Sequence, residues 1–550
     1  MVLMPTKDWE AFDLSVAAKV IQHLSSGIYR TPGGAVKELV SNSFDAQASW
    51  VSIDTGYPRH RTFVVEDDGI GMNEELIRRS FSHIGASVKV SDSGIYPTDP
   101  NRPVIGRFGI GMLAAAHISH QIKFTTYPQK SDHGLECELD LEPFFDLVNA
   151  VKTLEEVALG TVRFREIPRA GHSSGTTVEL LHIVEGSNFH RTITKSSKHK
   201  FVKAWPKMPA RVRDGGKGMG AFVRAFREQG LPSIDRLNGR EKLLWELGLI
   251  CPVKYLPSGP VDPEYLEGKA KAIVESLVEE ADRSSFTVFF DGIEVRKPIL
   301  LPTPKARESY VDREDPTLSK NVDVYPIDIK SSKSKVKARG YLVHQPHVVQ
   351  PREIQGLYPR IRGVGIGQYE NTLFRTLRGE APIIRVRLSG EIYIEGLDDA
   401  INLDRSGFNE LAKEFQELLD GLEGALSLPG MILSDVKRRT EEQSERVKEV
   451  KSNYRAREAQ AVIQREVQRS GLKLKVRVRA PETERRSGAI RYPFVTILDE
   501  DGTIAVDSNE KDPRIARIIV EVDRFLSELP DGPRLRVELA KRLRDLFGSG

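Results

Sequence analysis

A chain of 550 residues, 39% hydrophobic and 29% charged, has room for three or four domains with real cores. Two cysteines, Cys137 and Cys251, exclude a disulfide scaffold and fit a reducing compartment. The net charge of +3 makes no whole-molecule case for nucleic acid, and no apolar run approaches a membrane span or a signal-peptide core. A cytoplasmic protein without membrane contact is the expectation.

The first informative element is a helix over 36–46. Glu38, Asn42 and Asp45 stand at i, i+4 and i+7 and share one face, while Val36, Leu39, Val40 and Phe44 form the opposite, core-facing side. An acid, an amide and a second acid aligned in this way can offer a base and a metal ligand to a bound phosphate. Taken alone, the stripe reads first as a face that meets water. Strands are predicted at 51–55 and 63–66, the second running into Asp67-Asp68-Gly69-Ile70-Gly71-Met72. Glycines at alternate positions let a backbone approach a flat ligand, and a carboxylate at a strand end can accept from an exocyclic amine, as adenine presents and guanine at that place does not. Residues 87–103 are polar and broken by Gly94 and three prolines, the composition of a mobile lid; Lys89 within it reads as a plain exposed lysine. Ile105-Gly106-Arg107-Phe108-Gly109-Ile110-Gly111-Met112 opens a helix, and such a loop offers free N–H groups to phosphate. Gly175-Thr176 starts a further strand, with a hydroxyl placed to support Asp67.

These four motifs, in this order, resemble the GHKL ATPases: gyrase-type topoisomerases, ninety-kilodalton heat-shock chaperones, histidine kinases and MutL. The run 37–46 looks most like MutL, and the run 105–112 more like the chaperones. The resemblance covers about the first third of the chain. It implies an α+β fold whose ATP-binding domain is a two-layer α/β sandwich, with ATP and Mg²⁺ as cofactors. Carried over by position, Glu38 polarises the attacking water and Asn42 holds Mg²⁺. Asp67 binds the adenine amine with help from Thr176 through water. Gly69 and Gly71 leave room for the base and Met72 packs on it. Gly106, Gly109 and Gly111 wrap the phosphates, and Asp45 completes the nucleotide-binding set. The Walker-type loop and the protein-kinase motifs are absent, and no His-Glu phosphoacceptor helix precedes the site.

Beyond an ATP-binding domain at 1–190, residues 191–220 read as a basic connector. Between 191 and 217 nine basic residues face the single acid Asp214, with Phe201 and Trp205 interleaved. That composition reads first as a solvated interdomain loop, with a track for a phosphate backbone as the second reading. Lys330, Lys333, Lys335 and Lys337 form a second, weaker cluster. Residues 221–430 read as a mixed α/β, transducer-like domain, with an Asp291-Gly292 hairpin and strands near 336–343 and 383–388. Within 390–408, similarity to the chaperone class places Arg405 at the γ-phosphate as an arginine finger, and an ion pair with Asp404 is the competing reading. A long charged helix at 431–470 and a small α+β module at 471–550 complete the chain, the latter read as a dimerisation or docking unit. The expected function is Mg-dependent ATP hydrolysis driving a homodimeric clamp or chaperone-like cycle on a nucleic acid or protein client. The alternative is a regulatory ATP-binding subunit that signals to a separate effector enzyme.

Overall fold

The computed structural model describes residues 9–16, 32–82, 105, 115, 118–141, 157–206, 211–284, 286–305, 310–330, 335–372, 382–402, 405–427, 432–469, 475–478, 495–498, 520–522, 524–526, 528–529 and 534–548. The predicted lid at 87–103 and Lys89 therefore lie outside the described residues, as do Gly106, Gly109, Gly111 and Asp404. The chain divides into two compact units, one of residues 1–306 and 322–433, the other of residues 307–321 and 434–550.

The first unit is built on a nine-stranded sheet of order β1-β6-β5-β4-β7-β3-β2-β8-β9. Its strands are β1 (Glu10–Val16), β2 (Trp50–Asp54), β3 (Thr62–Asp67), β4 (Ser119–Tyr127), β5 (His133–Asp140), β6 (Val157–Pro168), β7 (Gly175–Ile183), β8 (Thr287–Phe290) and β9 (Ile293–Glu294). All neighbours are antiparallel except β2 and β8, which are parallel. The helix α1 (Pro32–Asp45) starts with proline at its first position, where the missing N–H costs nothing. The amide of Gly33 in its first turn donates to Glu246 Oε2 at 3.0 Å, and burial pushes that carboxyl up to about 7. The helix ends where Gln47 turns left-handed (φ 60°). Ala35, Val36, Leu39 and Val40 are buried in the same core as Val51, Ile53, Phe63 and Val65 of β2 and β3. The period-3.6 apolar face of the helix thus meets the period-2 apolar face of the sheet.

Further along, α5 (Gly239–Ile250) follows α4 (Lys217–Glu228), and α6 (Gly268–Arg283) follows both; α2 (Glu74–Ser82) and α3 (Asn188–Ile193) precede them. The Asp291-Gly292 hairpin forms as expected, with both turn residues at positive φ (44° and 81°). It adds to the N-terminal sheet, however, and not to the sheet of the middle region. That second sheet has the order β10-β11-β14-β12-β13. It comprises β10 (Asp323–Lys330), β11 (Lys337–His344), β12 (Gly356–Ile361), β13 (Val364–Gly365) and β14 (Leu388–Glu395). The strand expected at 383–388 is instead a single helical turn, α8 (Pro382–Arg385), and the strand begins at Leu388. Pro382 presets the first helical φ, and so short an apolar run does not distinguish helix from strand. The helix α9 (Lys413–Ser427) packs near β10, where Gly421 allows Ile329 close approach.

The second unit contains most of the 38-residue helix α10 (Ile432–Arg469). It also holds a short helix, α7 (Tyr310–Glu314), the antiparallel pair β15 (Lys475–Val478) and β16 (Val495–Leu498), and α11 (Leu535–Gly548). Its core joins Ala459, Ile463 and Val467 of α10 to Val476, Leu526, Leu539 and Leu543. Tyr310 packs on Tyr454 (4.7 Å between rings) and Arg446 pairs with Asp315 at 2.8 Å, which fixes α7 against the long helix. No helix among the described residues is long and apolar enough to cross a membrane.

Candidate nucleotide site

The site forms where α1 ends beside the C-terminal end of β3. Asp67, the last residue of β3, sits opposite Thr176 in the β3–β7 register. One carboxylate oxygen accepts from Ser43 Oγ at 2.8 Å, the other from the amide of Gly69 at 2.9 Å, and the Thr176 amide also donates to the carboxylate. Burial nevertheless dominates and pushes the carboxyl up to about 6, since these donors only partly replace lost water. Asp68 points the other way and ties the chain after α1, accepting from the amides of Ser49 (2.7 Å) and Trp50 (2.9 Å).

The two glycines that follow are required by space. A Cβ on Gly69 would come within 2.7 Å of the Ala46 carbonyl oxygen and 3.0 Å of Asp67 Oδ1. Gly71 is left-handed (φ 70°) and a Cβ there would lie 2.4 Å from the Tyr127 carbonyl oxygen. The turn is pinned from β4: the amide of Met72 donates to Thr126 Oγ1 at 2.8 Å, which pairs with Thr176 Oγ1 at 3.0 Å. Thr176 therefore serves Asp67 with its amide, while its hydroxyl is spent on Thr126.

Along α1 the polar stripe is nearly buried. Glu38 is 8% exposed and pairs with Lys37 Nζ at 2.7 Å; Lys37 is itself 3% exposed. Burial holds the Lys37 ammonium below its usual range, the Glu38 charge opposes that, and the nearby Arg405 reinforces it. Asn42 is half-buried, one turn on. Asp45 Oδ1 accepts the amide of Ile105 at 2.6 Å, and Ile105 is the residue immediately before the glycine-rich run. Arg405 donates to the carbonyl of the same Ile105. Its own backbone is left-handed (φ 53°), inside a turn where the Gly367 amide donates to the Arg405 carbonyl and the Arg405 amide to Asn402. Ile105 is thus held at both its N–H and its C=O, by α1 on one side and by the turn after β14 on the other.

The structure brings Asp67, Gly69, Gly71, Met72 and Thr176 together as one corner, and joins Asp45 and Arg405 at Ile105; Arg405 also lies near Lys37, the ion-pair partner of Glu38, and Asn42 stands between Glu38 and Asp45 along α1. Ser43 and Lys37 are additions that the motifs alone do not single out. Ser43 lies inside the first motif, one residue after Asn42, but its bond to Asp67 crosses from α1 to β3 and leaves no local signal in the sequence.

Comparison with known proteins supports the GHKL class for the N-terminal region. Residues 29–156 match the family described as histidine kinase-, DNA gyrase B- and HSP90-like ATPase. Over these residues the chain is similar to the GHKL ATPases. Its relatives include the putative type II restriction enzyme HgiDII of Herpetosiphon aurantiacus, 32% identical over 22% of this chain and 19% of that protein. They also include the DNA mismatch repair protein MutL of Shewanella baltica, 22% identical over 62% of this chain and 50% of MutL. MutL of Shewanella piezotolerans is 24% identical over 48% of this chain and 43% of its own length. The chain thus spans about a fifth of the first relative and about half of the MutL proteins. The GHKL domain here has MutL-like character, and the MutL similarity runs well past the family match into the middle region.

The basic connector differs in one respect from its expected form. Lys195, Lys198, Lys200, Lys203, Arg211, Arg213 and Lys217 are exposed, but the interleaved aromatics turn inward. Phe201 is buried edge-on against Phe226 (5.5 Å), and Trp205 lies under the Arg240 guanidinium at 3.8 Å. The lysines are open to a phosphate backbone; the rings are taken up by the core and are not a stacking platform.

Proposed function

We propose that this protein binds ATP with Mg²⁺ at the α1–β3 corner and hydrolyses it slowly, and that the nucleotide state drives a homodimeric clamp acting on nucleic acid. The observation that carries this reading is Asp67: a half-buried carboxylate at a strand end, aimed by Ser43 and the Gly69 amide, beside two glycines where no side chain fits. An ionised carboxylate so placed accepts from the exocyclic amine of adenine; the glycines, expected to leave room for the base, instead let the turn pack against the Ala46 and Tyr127 carbonyls. Met72 borders that turn.

Glu38 is the proposed base. Lys37, which shares its burial, pairs with one carboxylate oxygen and orients the group for polarising water at the γ-phosphate. Among the described residues no group of three or more His, Cys, Asp or Glu is placed to hold a metal ion alone. Mg²⁺ takes most of its ligands from phosphates and water; Asn42 would be its protein ligand, and the ion would neutralise charge on the phosphate oxygens. Asp45 positions the entry to the glycine loop through Ile105, leaving Gly106, Gly109 and Gly111 to offer amides to phosphate. Arg405 is proposed to stabilise charge at the γ-phosphate from the same place.

The MutL similarity and the exposed cations of 191–217 support a nucleic acid client over a protein one. ATP turnover by wild type and Glu38→Ala, alone and with double-stranded DNA, tests the reading. Glu38-dependent turnover accelerated by DNA is expected. Turnover indifferent to DNA would move the client to protein, and nucleotide binding without turnover in either protein would make the chain a regulatory ATP-binding subunit.

A further inference from the structure

The middle sheet carries a polar face on the side of α6, half-buried at Arg339 and Tyr393 and exposed at its edge. In the β10–β11–β14 register, Asp328, Arg339 and Tyr393 stand side by side, and two residues on, hence on the same face, stand Lys330, Lys337 and Glu395. Arg360 of β12 adjoins Tyr393 in this layer. Between this face and α6 lies a cavity of about 1040 Å³, and Phe44 of α1 forms part of its wall. That volume matches sites for drug-sized ligands, about 300–1,000 Å³.

The cavity's charge is cationic where it is deepest. Lys297 is 1% exposed, and its ammonium donates to Tyr393 Oη at 2.9 Å and lies 4.0 Å over the Tyr255 ring. Among the described residues no carboxylate comes within ion-pair distance of it. Glu391 is the nearest buried acid, but its oxygens are committed to Arg360, Tyr255 (2.7 Å) and Tyr341 (2.8 Å). One Arg360 guanidinium nitrogen, Nη2, has no hydrogen-bond partner among the described residues. At the mouth, Lys330 and Lys337 are directly opposed on antiparallel strands, an arrangement that costs free energy without a counter-charge. Glu395, opposite Lys337 on its other side, offsets only one of them. The remaining acids at the rim are engaged: Glu280 with Arg339 (3.0 Å), Asp398 with Arg362 (3.0 Å) and Asp328 with Lys269 (3.1 Å).

We propose that this cavity is a second binding site, for a small phosphate-bearing ligand, with Lys297 meeting the phosphate charge at the floor and Lys330 and Lys337 closing on it at the mouth. The site is independent of the nucleotide corner and would stand without it. Burial and the Arg360 charge hold Lys297 down to about 7, against the weaker pull of Glu391, Glu280 and Asp282. A bound phosphate favours the ammonium form, so ligand binding takes up a proton near neutral pH and tightens as pH falls from about 8 towards 7.

Calorimetric titration of the full chain with pyrophosphate tests this, in two buffers of different ionisation heat and with ADP as competitor. Expected are binding that persists under saturating ADP, proton uptake at pH 7.5, and at least tenfold weaker binding in the surface double variant Lys330→Gln with Lys337→Gln. Loss of proton uptake in Lys297→Met, where that variant folds, is the matching result. No binding, binding abolished by ADP, or binding unmoved by the lysine double variant would overturn the proposal.

Discussion

Asp67 carries a charge that its surroundings only half support. Its folded pKa of about 6 lies above the usual carboxylate value, so ionising it opposes folding: the stability this group contributes is full below about pH 4 and is lost as pH rises through 6. Adenine reverses the preference, because an amine donor favours the ionised oxygen. Nucleotide affinity should therefore fall as pH drops below about 6, and Asp67→Asn should bind severely weakly even at neutral pH; fluorescence titration with a labelled ATP analogue reads both. Ser43→Ala removes one donor to Asp67 and is expected to weaken binding about fivefold, the worth of roughly 1 kcal/mol of hydrogen bond. Glu38→Ala should retain binding while turnover falls by at least a hundredfold, the usual scale of a lost general base; a variant that no longer binds would remove Glu38 from that role. Asp67 and its two glycines are legible in the sequence because chain chemistry and spacing suffice to mark them. Ser43 as the aiming hydroxyl is not, because its hydrogen bond spans 24 residues and depends on how α1 meets β3.

At the scale of elements, the double hold on Ile105 joins two parts of the chain that lie 300 residues apart. Such an interaction has no local sequence signature, which is why resemblance points to Arg405 and nothing in the sequence points to Ile105. Arg405→Ala should lower turnover at least tenfold while changing nucleotide affinity less, in single-turnover and binding measurements made side by side. Normal turnover would exclude it from the chemistry. The helix α1 and the strands β2, β3 and β7 are readable from periodicity, and the Asp-Gly turn of β8–β9 from its chemistry. The turn at Pro382–Arg385 reads wrongly as strand because its apolar residues serve a short helix as readily, and only packing decides. Placement of β8 beside β2 is equally invisible, since parallel pairing across more than two hundred residues is set by the whole core.

For the whole molecule, charge is distributed locally although the total is near zero. Replacing Lys198, Lys200 and Lys203 with Gln should leave ATP binding intact and flatten the log–log salt dependence of DNA binding by about 0.9 for each phosphate no longer neutralised. An unchanged slope would direct the search for a client to other surfaces. A clamp also predicts a change in mass: light scattering should show a dimer with a non-hydrolysable ATP analogue, and Glu38→Ala should accumulate the same dimer with ATP itself. The parallel strand β8 has a practical bearing on work with this chain. A fragment cut after residue 190 would carry every nucleotide motif of the first region, yet would expose the full length of β2 as an open edge and uncover Phe44, which packs on Phe286 at 5.2 Å. Bare edges of this kind recruit other chains. The smallest well-behaved piece for crystallisation or screening should therefore run at least through Val295, and shorter pieces should self-associate whether or not ATP is present.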